Sequence, residues 1–214
     1  MHPCYLGIDD GYFDVSFKRS NTKYRTVLVG AIVCDRNFVD LYIDFVTVDG
    51  LDATTASYRI IEKALNLYDI EAVLLDGVTY AGFNIVNPKK LYILTLTPMI
   101  VIFRHKLDLE KIRNALEKHF PDHLYRYSVI EETYMKSTDL FLEYIPTTIR
   151  VYSVGIQINK AKEIVQKLCN VFVDPYPLRI ADKVASTLGR IIMKKYLERG
   201  YFRSCRSVLI DLNR

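Results

Sequence analysis

Two aspartates follow short apolar runs, and their side chains suggest a chemistry for this chain. Asp9 ends the run that begins at Cys4, and Asp76 ends the run over residues 72–75, just before Gly77. Two carboxylates about 4 Å apart repel each other by roughly 4 kcal/mol at an effective dielectric constant of about 20. A proton held at a raised pKa, a basic neighbour or a bridging divalent cation relieves that repulsion. Oxygen ligands favour Mg²⁺ or Mn²⁺, and such an ion polarises a phosphodiester and activates water.

The acids between the third predicted strand and the first predicted helix are candidates for a third ligand of the metal ion. Asp49 and Asp52 lie there. An aspartate just before a helix also favours the helix dipole, so a purely structural role for Asp52 stays open. Asp10 should point to the opposite face of the sheet from Asp9, because side chains alternate along a strand, and it is a reserve ligand.

The elements that must position these acids follow from hydrophobic periodicity. Apolar runs over residues 4–9, 26–34 and 38–48 are separated by polar turns and predict an antiparallel meander. Alternating helices and strands follow, with the strand that ends at Asp76 parallel to the first or to the third strand. If that strand lies beside the first, Asp9 and Asp76 meet at the edge where open α/β sheets bind ligands.

Length and composition predict one globular domain over residues 1–214 with a proper core, because half of the residues are apolar. A net charge of +4 is compatible with a polyanionic partner and does not require one. There is no apolar run of about 20 residues to cross a membrane and no signal-peptide pattern, so a cytoplasmic protein is expected. The cysteines are widely spaced, which predicts free thiols and no zinc site; they are Cys4, Cys34, Cys169 and Cys205.

Basic residues are the candidates for contact with phosphate. Lys89, Lys90 and Arg104 are predicted to meet a phosphate backbone. Arg179 and Asp182 are expected to form an internal ion pair. The C-terminal region carries a further basic series that predicts either a solvated helix face or a nucleic-acid track, and its members are Arg190, Lys194, Lys195, Arg199, Arg203 and Arg206.

Several segments resemble endonuclease V, a metal-dependent member of the ribonuclease H-like group. The sequence Leu-Gly-Ile-Asp-Asp at residues 6–10 and Val-Leu-Leu-Asp-Gly at residues 73–77 resemble its strand-end acids. The proline-rich segment at residues 175–182, with its Arg-x-Ala-Asp ending, resembles the closing segment of that family. Residues 7–11, 49–54 and 76–84 are more similar to an uncharacterised, mainly archaeal domain family that itself resembles endonuclease V.

This resemblance implies a ribonuclease H-like α/β fold. The implied sheet is mixed and five-stranded, in the order 3-2-1-4-5, flanked by helices and followed by a C-terminal helical extension. It implies a nuclease or nuclease-like protein that acts on DNA or RNA with Mg²⁺ or Mn²⁺. The catalytic and metal-binding residues would be Asp9, Asp52 and Asp76.

Departures from endonuclease V favour an alternative function. The chain has no Pro-Tyr-Ile-Pro wedge before residue 50, and Ala56 stands where the second acid is a glutamate. Ile156 stands where a histidine is expected. The alternative is therefore a catalytically inactive nucleic-acid-binding or protein-interaction module on the same fold. Substrate and oligomeric state stay open at this point.

Overall fold

The fold is described from a computed structural model, over residues 3–15, 24–169 and 172–200. Its strands are β1 (Cys4–Asp10), β2 (Arg25–Cys34), β3 (Asn37–Thr47), β4 (Ile70–Asp76), β5 (Thr79–Tyr80), β6 (Asn84–Ile85), β7 (Met99–Phe103), β8 (Thr138–Leu142) and β9 (Thr147–Val154). Its helices are α1 (Ala53–Leu65), α2 (Pro88–Thr95), α3 (Leu109–His119), α4 (His123–Met135), α5 (Ile158–Leu168) and α6 (Tyr176–Gly200).

The central sheet of the described residues has seven strands in the order β3-β2-β1-β4-β7-β9-β8. β1, β2 and β3 form the antiparallel meander, and β4 and β7 continue the sheet parallel to β1. The predicted order 3-2-1-4-5 is confirmed, with β7 as its fifth strand. The sheet is two strands wider than predicted, because β8 and β9 form a hairpin that pairs antiparallel to β7.

Local capping signals set the start of two helices. The side chain of Asn87 accepts a hydrogen bond from the backbone N–H of Lys90 and caps α2, with Pro88 at its first position. Asp108 caps α3 in the same way. α2 begins only at Pro88, because Asn84 and Ile85 pair with the preceding strand β5 as a short hairpin.

Helices cover both faces of the sheet, which is why its central strands are apolar on both sides. α1 packs with Leu6, Ile8 and Leu75 in the larger core, to which α3 and α4 also contribute. On the opposite face, α5 packs against Leu74 and Ile100. α6 lies beside it over β1 and β2.

The contact between α6 and β1 depends on Gly7. A Cβ atom at this position would lie 2.5 Å from the backbone nitrogen of Leu178 and 2.5 Å from the carbonyl carbon of Pro177. The absence of a side chain therefore lets the first turn of α6 approach the strand two residues before Asp9. Farther along, Ala181 and Ala185 pack against β2, where small side chains again keep the helix close to the sheet.

The prediction of free thiols is wrong for two cysteines. Cys4 and Cys34 form a disulfide, whereas Cys169 is a free, buried thiol, and Cys205 lies outside the described residues. The two half-cystines are 30 residues apart in sequence, but antiparallel pairing of β1 with β2 places them directly opposite each other. Strand register, which spacing does not reveal, decided this pairing. No described helix has the length and apolar character needed to cross a membrane.

Reduction of the disulfide is expected to lower the free energy of unfolding by about 2–4 kcal/mol, because the cross-link closes a loop in the unfolded chain. The measurement is denaturant-induced unfolding with and without a reductant. The double variant Cys4→Ala/Cys34→Ala should match the reduced protein and should not respond to reductant. Equal midpoints for oxidised and reduced wild-type protein would contradict the expectation.

Candidate functional site

Asp9 and Asp76 lie at the carboxyl ends of two adjacent parallel strands. In the register of β1 and β4, Ile8 is opposite Leu75, so the next residue of each strand is the acid. Side chains alternate along a strand, and Gly7 faces α6, so Asp9 faces α6 as well. Asp76 follows the same alternation from Leu74, which packs on this face of the sheet. The two acids therefore share one face and one edge.

Asp182 of α6 is the third acid at this edge. The charges of Asp76, Asp10 and Asp182 all raise the pKa of Asp9. Asp182 accepts a hydrogen bond from Ser186 at 3.1 Å, and its other oxygen lies 3.5 Å from the ammonium group of Lys183. The predicted ion pair with Arg179 does not form: that guanidinium instead stacks on aromatic rings, so the carboxylate of Asp182 remains with the other acids.

Burial and mutual repulsion dominate the electrostatics of this group. Burial, and then the charge of Asp76, raise the pKa of Asp9 well above its ordinary value. Burial raises the pKa of Asp10 to about 7, although the backbone N–H of Ala81 donates to its carboxylate and opposes the shift. Burial also raises the pKa of Asp76 to about 6 against the opposing charge of Arg104. The site thus holds more negative charge than its basic neighbours balance.

Arg104 lies just beyond the end of β7 and contacts two acids. One of its terminal nitrogens donates to Asp76, and the other donates to Asp174 at 2.9 Å. Its side chain is about one-third exposed. The residue predicted to meet a phosphate is therefore at the site, where it serves as the counter-ion of Asp76.

The other predicted acids form hydrogen bonds away from Asp9 and Asp76. The carboxylate of Asp52 accepts hydrogen bonds from the backbone and hydroxyl of Thr47, at 3.0 and 2.8 Å, and from the amide of Asn84 at 2.6 Å. Asp49 accepts from the backbone N–H of Phe83 at 2.7 Å. Both acids therefore fasten the end of β3 to the β5–β6 hairpin. Asp10 also contacts this hairpin, through Ala81, on the face opposite to Asp9.

The predicted lysines lie on α2. Lys89 forms an ion pair with Glu132 of α4, which also accepts from Lys136 at 2.6 Å. Lys90 is exposed, and its backbone N–H is used in the cap of α2. The structure brings neither lysine into contact with Asp9 or Asp76.

A cavity of about 190 Å³ opens beside Asp76 and Arg104. Its wall is mainly apolar and is formed by the loop after β4, the end of β7, α3 and α4. The wall residues include Val78, Phe83, Phe103, Leu107, Ile112 and Ile130. Gly77 is in the left-handed region at φ 71°, and no atom of the described residues other than its chain neighbours lies within 4 Å of the position that its Cβ would take. The strand end is therefore open to a ligand on this side.

Sequence reasoning missed the place of Asp182 and Asp174 in this group. One signal was present for Asp182, since it borders the buried face of α6 that Leu178, Ala181 and Ala185 define. A charged residue next to an apolar helix face is a candidate for an inward-facing group. Asp174 carried no such signal, because its role depends on the loop that brings it to Arg104.

The fold and the site define a class of protein. Endonuclease V from Ciona intestinalis, in complex with inosine-containing DNA, has a TM-score of 0.55 at 14% identity, with 91% of this chain and 87% of that chain covered. Human endonuclease V has a TM-score of 0.56 at 16% identity, over 92% and 86%. An Argonaute from Marinitoga piezophila, with guide RNA and target DNA, has a TM-score of 0.52, over 89% of this chain and 31% of that one. The fold is ribonuclease H-like.

The family follows from sequence. Residues 4–189 match the family described as Endonuclease dU, and the chain belongs to that family. A UPF0215 protein from Thermococcus gammatolerans is 38% identical over 186 residues, covering 86% of this chain and 90% of the relative. An Archaeoglobus fulgidus protein of unknown function has a TM-score of 0.71 at 24% identity, with 86% and 97% covered. The resemblance to an archaeal family similar to endonuclease V is confirmed.

Proposed function

We propose that this protein is a divalent-metal-dependent endonuclease that cleaves DNA at or near deoxyuridine. The observation that carries the proposal is the position of Asp9 and Asp76 at one sheet edge, with Asp182 of α6 near enough for its charge to raise the pKa of both. The family name, Endonuclease dU, suggests the reaction and the nucleoside. Related folds in complexes with DNA or RNA support a nucleic-acid substrate.

The donor atoms of the site suit Mg²⁺ or Mn²⁺. All three acids offer oxygen, and Asp9 is 7% exposed, with the backbone N–H of Asp10 as its hydrogen-bond donor. Among the described residues, no three His, Cys, Asp or Glu side chains are gathered closely enough to enclose a metal ion. Arg104 currently satisfies one oxygen of Asp76, so a cation would compete with it or use the other oxygen. Asp9, Asp76 and Asp182 are the residues that would hold the ion, and they would have to draw closer together than they are in this structure to enclose it.

The chain's own side chains then have distinct tasks. A bound divalent cation would polarise the phosphodiester and activate water. Asp174 holds Arg104 from the side opposite to Asp76, which keeps a guanidinium at the mouth of the site for an incoming phosphate. The cavity beside Asp76 gives room for the nucleotide next to that phosphate. Its apolar walls exclude water from one side of the reacting group.

Cleavage of end-labelled oligonucleotides tests the proposal. The substrates would be matched strands with one deoxyuridine, one deoxyinosine or no modification, each single-stranded and duplex. Cleavage that requires Mg²⁺ or Mn²⁺, stops with chelator and prefers deoxyuridine is expected. Absence of cleavage of every substrate with either ion would overturn the proposed activity, and cleavage without preference would overturn the proposed substrate.

Paired variants distinguish Asp182 from Asp52 as the third ligand of the ion. Asp182→Asn is expected to reduce the rate of cleavage at least a hundredfold without loss of folding, because it removes a ligand of the ion. Asp52→Asn should keep the rate within a few-fold but lower the free energy of unfolding by about 1–3 kcal/mol, since Asp52 accepts hydrogen bonds from Thr47 and Asn84. Single-turnover rates and denaturant unfolding measure the two effects. The opposite ranking of rates would assign the third ligand to Asp52.

One observation favours a second candidate function. The pairing of Arg104 with Asp76 occupies an acid that the chemistry needs, as in a module that binds nucleic acid without cleaving it. Salt-sensitive binding that needs no divalent ion, together with absent cleavage, would support this alternative.

A further inference from the structure

The two flanks of α6 differ in character. One flank is apolar: Ala181, Val184 and Leu188 pack with the residues of β2. The other flank carries Arg179, Asp182, Ser186 and Arg190 at spacings of three to four residues, and therefore presents them in one direction. The charge of Asp182 on this flank raises the pKa of Asp9 and of Asp76, so the flank borders the acidic site.

Arg179 is fixed by aromatic rings in place of an ion pair. Its guanidinium carbon lies 3.8 Å from the ring centre of Phe172 and 5.2 Å from that of Tyr176. Among the described residues it forms no salt bridge, although Asp182 is one turn away on the same helix. Stacking restrains the plane of the guanidinium and leaves its N–H edge available to an anion.

Arg190 repeats this arrangement three turns later. Its guanidinium lies 5.6 Å from the ring centre of Tyr12, in the segment that follows β1. Gly189 permits this approach, because a Cβ there would lie 2.5 Å from the backbone nitrogen of Tyr12. Within the described part of the chain Arg190 also has no carboxylate partner, and its side chain is exposed.

The spacing of the two arginines fits a polyanion. Eleven residues of α-helix span about 16 Å at a rise of about 1.5 Å per residue, and the side chains point the same way after about three turns. That distance corresponds to about five nucleotides at about 3.4 Å per nucleotide of one strand. Asp182 lies between the arginines along the axis, so a strand that contacts both would cross the acidic site.

We propose that Arg179 and Arg190 bind two phosphates of one nucleic-acid strand that runs along α6, on either side of the phosphate that would be cleaved beside Asp9, Asp76 and Asp182. This proposal rests on the proposed action on nucleic acid and adds the path of the strand. The aromatic rings of Phe172, Tyr176 and Tyr12 fix the cations before the strand arrives, which reduces the conformational entropy that binding costs. Phe172 and Tyr12 are 50% and 43% exposed and therefore also accessible to the strand.

Salt-dependent binding tests the path. The probe is a fluorescent single-stranded oligonucleotide of about twelve nucleotides with one deoxyuridine, and anisotropy is measured in Ca²⁺ over a series of salt concentrations. Arg179→Gln and Arg190→Gln should each weaken binding about tenfold at low salt and should each reduce the slope of log K against log[salt] by about 0.7. The double variant should reduce this slope by about 1.4. Arg179→Lys should keep the slope but bind more weakly, because lysine retains the charge and loses the planar fork.

Arg113→Gln is the matched control. Arg113 also lies over a tyrosine ring on a helix, 5.7 Å from the ring centre of Tyr127, but it is paired with Glu117 on α3, which packs on the other face of the sheet. Its replacement should leave the slope unchanged. Slopes for Arg179→Gln and Arg190→Gln equal to that of the control would overturn the strand path.

The outcomes separate this proposal from the proposed function. If the wild-type protein cleaves and the arginine variants have the same slopes as the control, the proposed nuclease activity stands and the proposed strand path is wrong. If binding depends on both arginines but no substrate is cleaved, the strand path is supported and the proposed nuclease activity is wrong. No binding of the oligonucleotide by wild-type protein overturns both. Thermal unfolding of each variant, which should match that of the wild type, excludes loss of folding as the cause.

Discussion

Replacement of Asp9 by Asn is expected to abolish cleavage and to make the metal-free protein more stable. Asp9 is almost completely buried, and the charges of Asp76, Asp10 and Asp182 all act against its ionised form. A neutral amide of the same shape avoids that repulsion and the cost of burying a charge. We expect a gain of about 1–2 kcal/mol in the free energy of unfolding. The melting temperature of a domain of this size should then rise by about 3–6 °C.

The gain should depend on pH, and the sign follows from the raised pKa values. A carboxyl group whose pKa is higher in the folded than in the unfolded protein holds its proton longer when folded, so stability falls as pH rises between the two values. The pKa of Asp76 is about 6 and that of Asp10 about 7, against ordinary values near 4. Metal-free wild-type protein should therefore lose stability from about pH 4 to about pH 7, and Asp9→Asn should lose less.

Asp44→Asn is the control for this stability measurement. Asp44 accepts from Arg59 at 2.7 Å. Against the effect of burial, that hydrogen bond, the backbone N–H of Phe45 and the charge of the arginine hold the pKa of Asp44 below its ordinary value. Its replacement should destabilise slightly and show the opposite pH trend. Calorimetry in chelator and single-turnover cleavage in Mn²⁺ measure the two effects. A less stable Asp9→Asn protein at pH 8, or one that cleaves at the wild-type rate, would show that Asp9 has another role.

Gly7→Ala is the second substitution with a large expected effect, and this effect is steric because neither residue is charged. The added methyl group would lie 2.5 Å from two backbone atoms of α6, at Pro177 and Leu178, so the helix must move. Backbone cannot rotate away as a side chain can, and the expected loss is about 3 kcal/mol, at the upper end for overpacked cores. Because α6 carries Asp182, a displacement of about 1 Å should also reduce cleavage about a hundredfold.

Gly30→Ala separates the effect on the helix from overpacking in general. Gly30 is paired with Ile8 in the same sheet, but its added methyl group would meet the side chain of Ile60 on the opposite face. That side chain can shift, and α6 is not involved. We therefore expect a smaller loss of stability and a cleavage rate close to that of wild type. Unfolding free energies and rates for both variants are compared, and equal rates would dissociate α6 placement from catalysis.

The sequence alone predicted the parts of the fold that depend on local pattern. Uninterrupted apolar runs predicted the central strands, and polar turns predicted the meander of β1, β2 and β3. The ordered resemblance chose the strand order, which periodicity left open between two positions for β4. Asp9 and Asp76 could be named in advance because each closes an apolar run, and a parallel pair of strands ends at one edge.

Only the tertiary structure decided which distant groups meet. Asp182 joins the acids because Gly7 lets α6 approach β1. Arg104 meets Asp76 because β4 ends beside β7, and it meets Asp174 because the segment before α6 brings that acid to it. The register of β1 and β2 placed Cys4 opposite Cys34. Sequence patterns report the period and polarity of one segment at a time, whereas contacts between segments depend on register and on close approach of backbones. For that reason the strand-end acids were predictable, and the residues that complete their site were not.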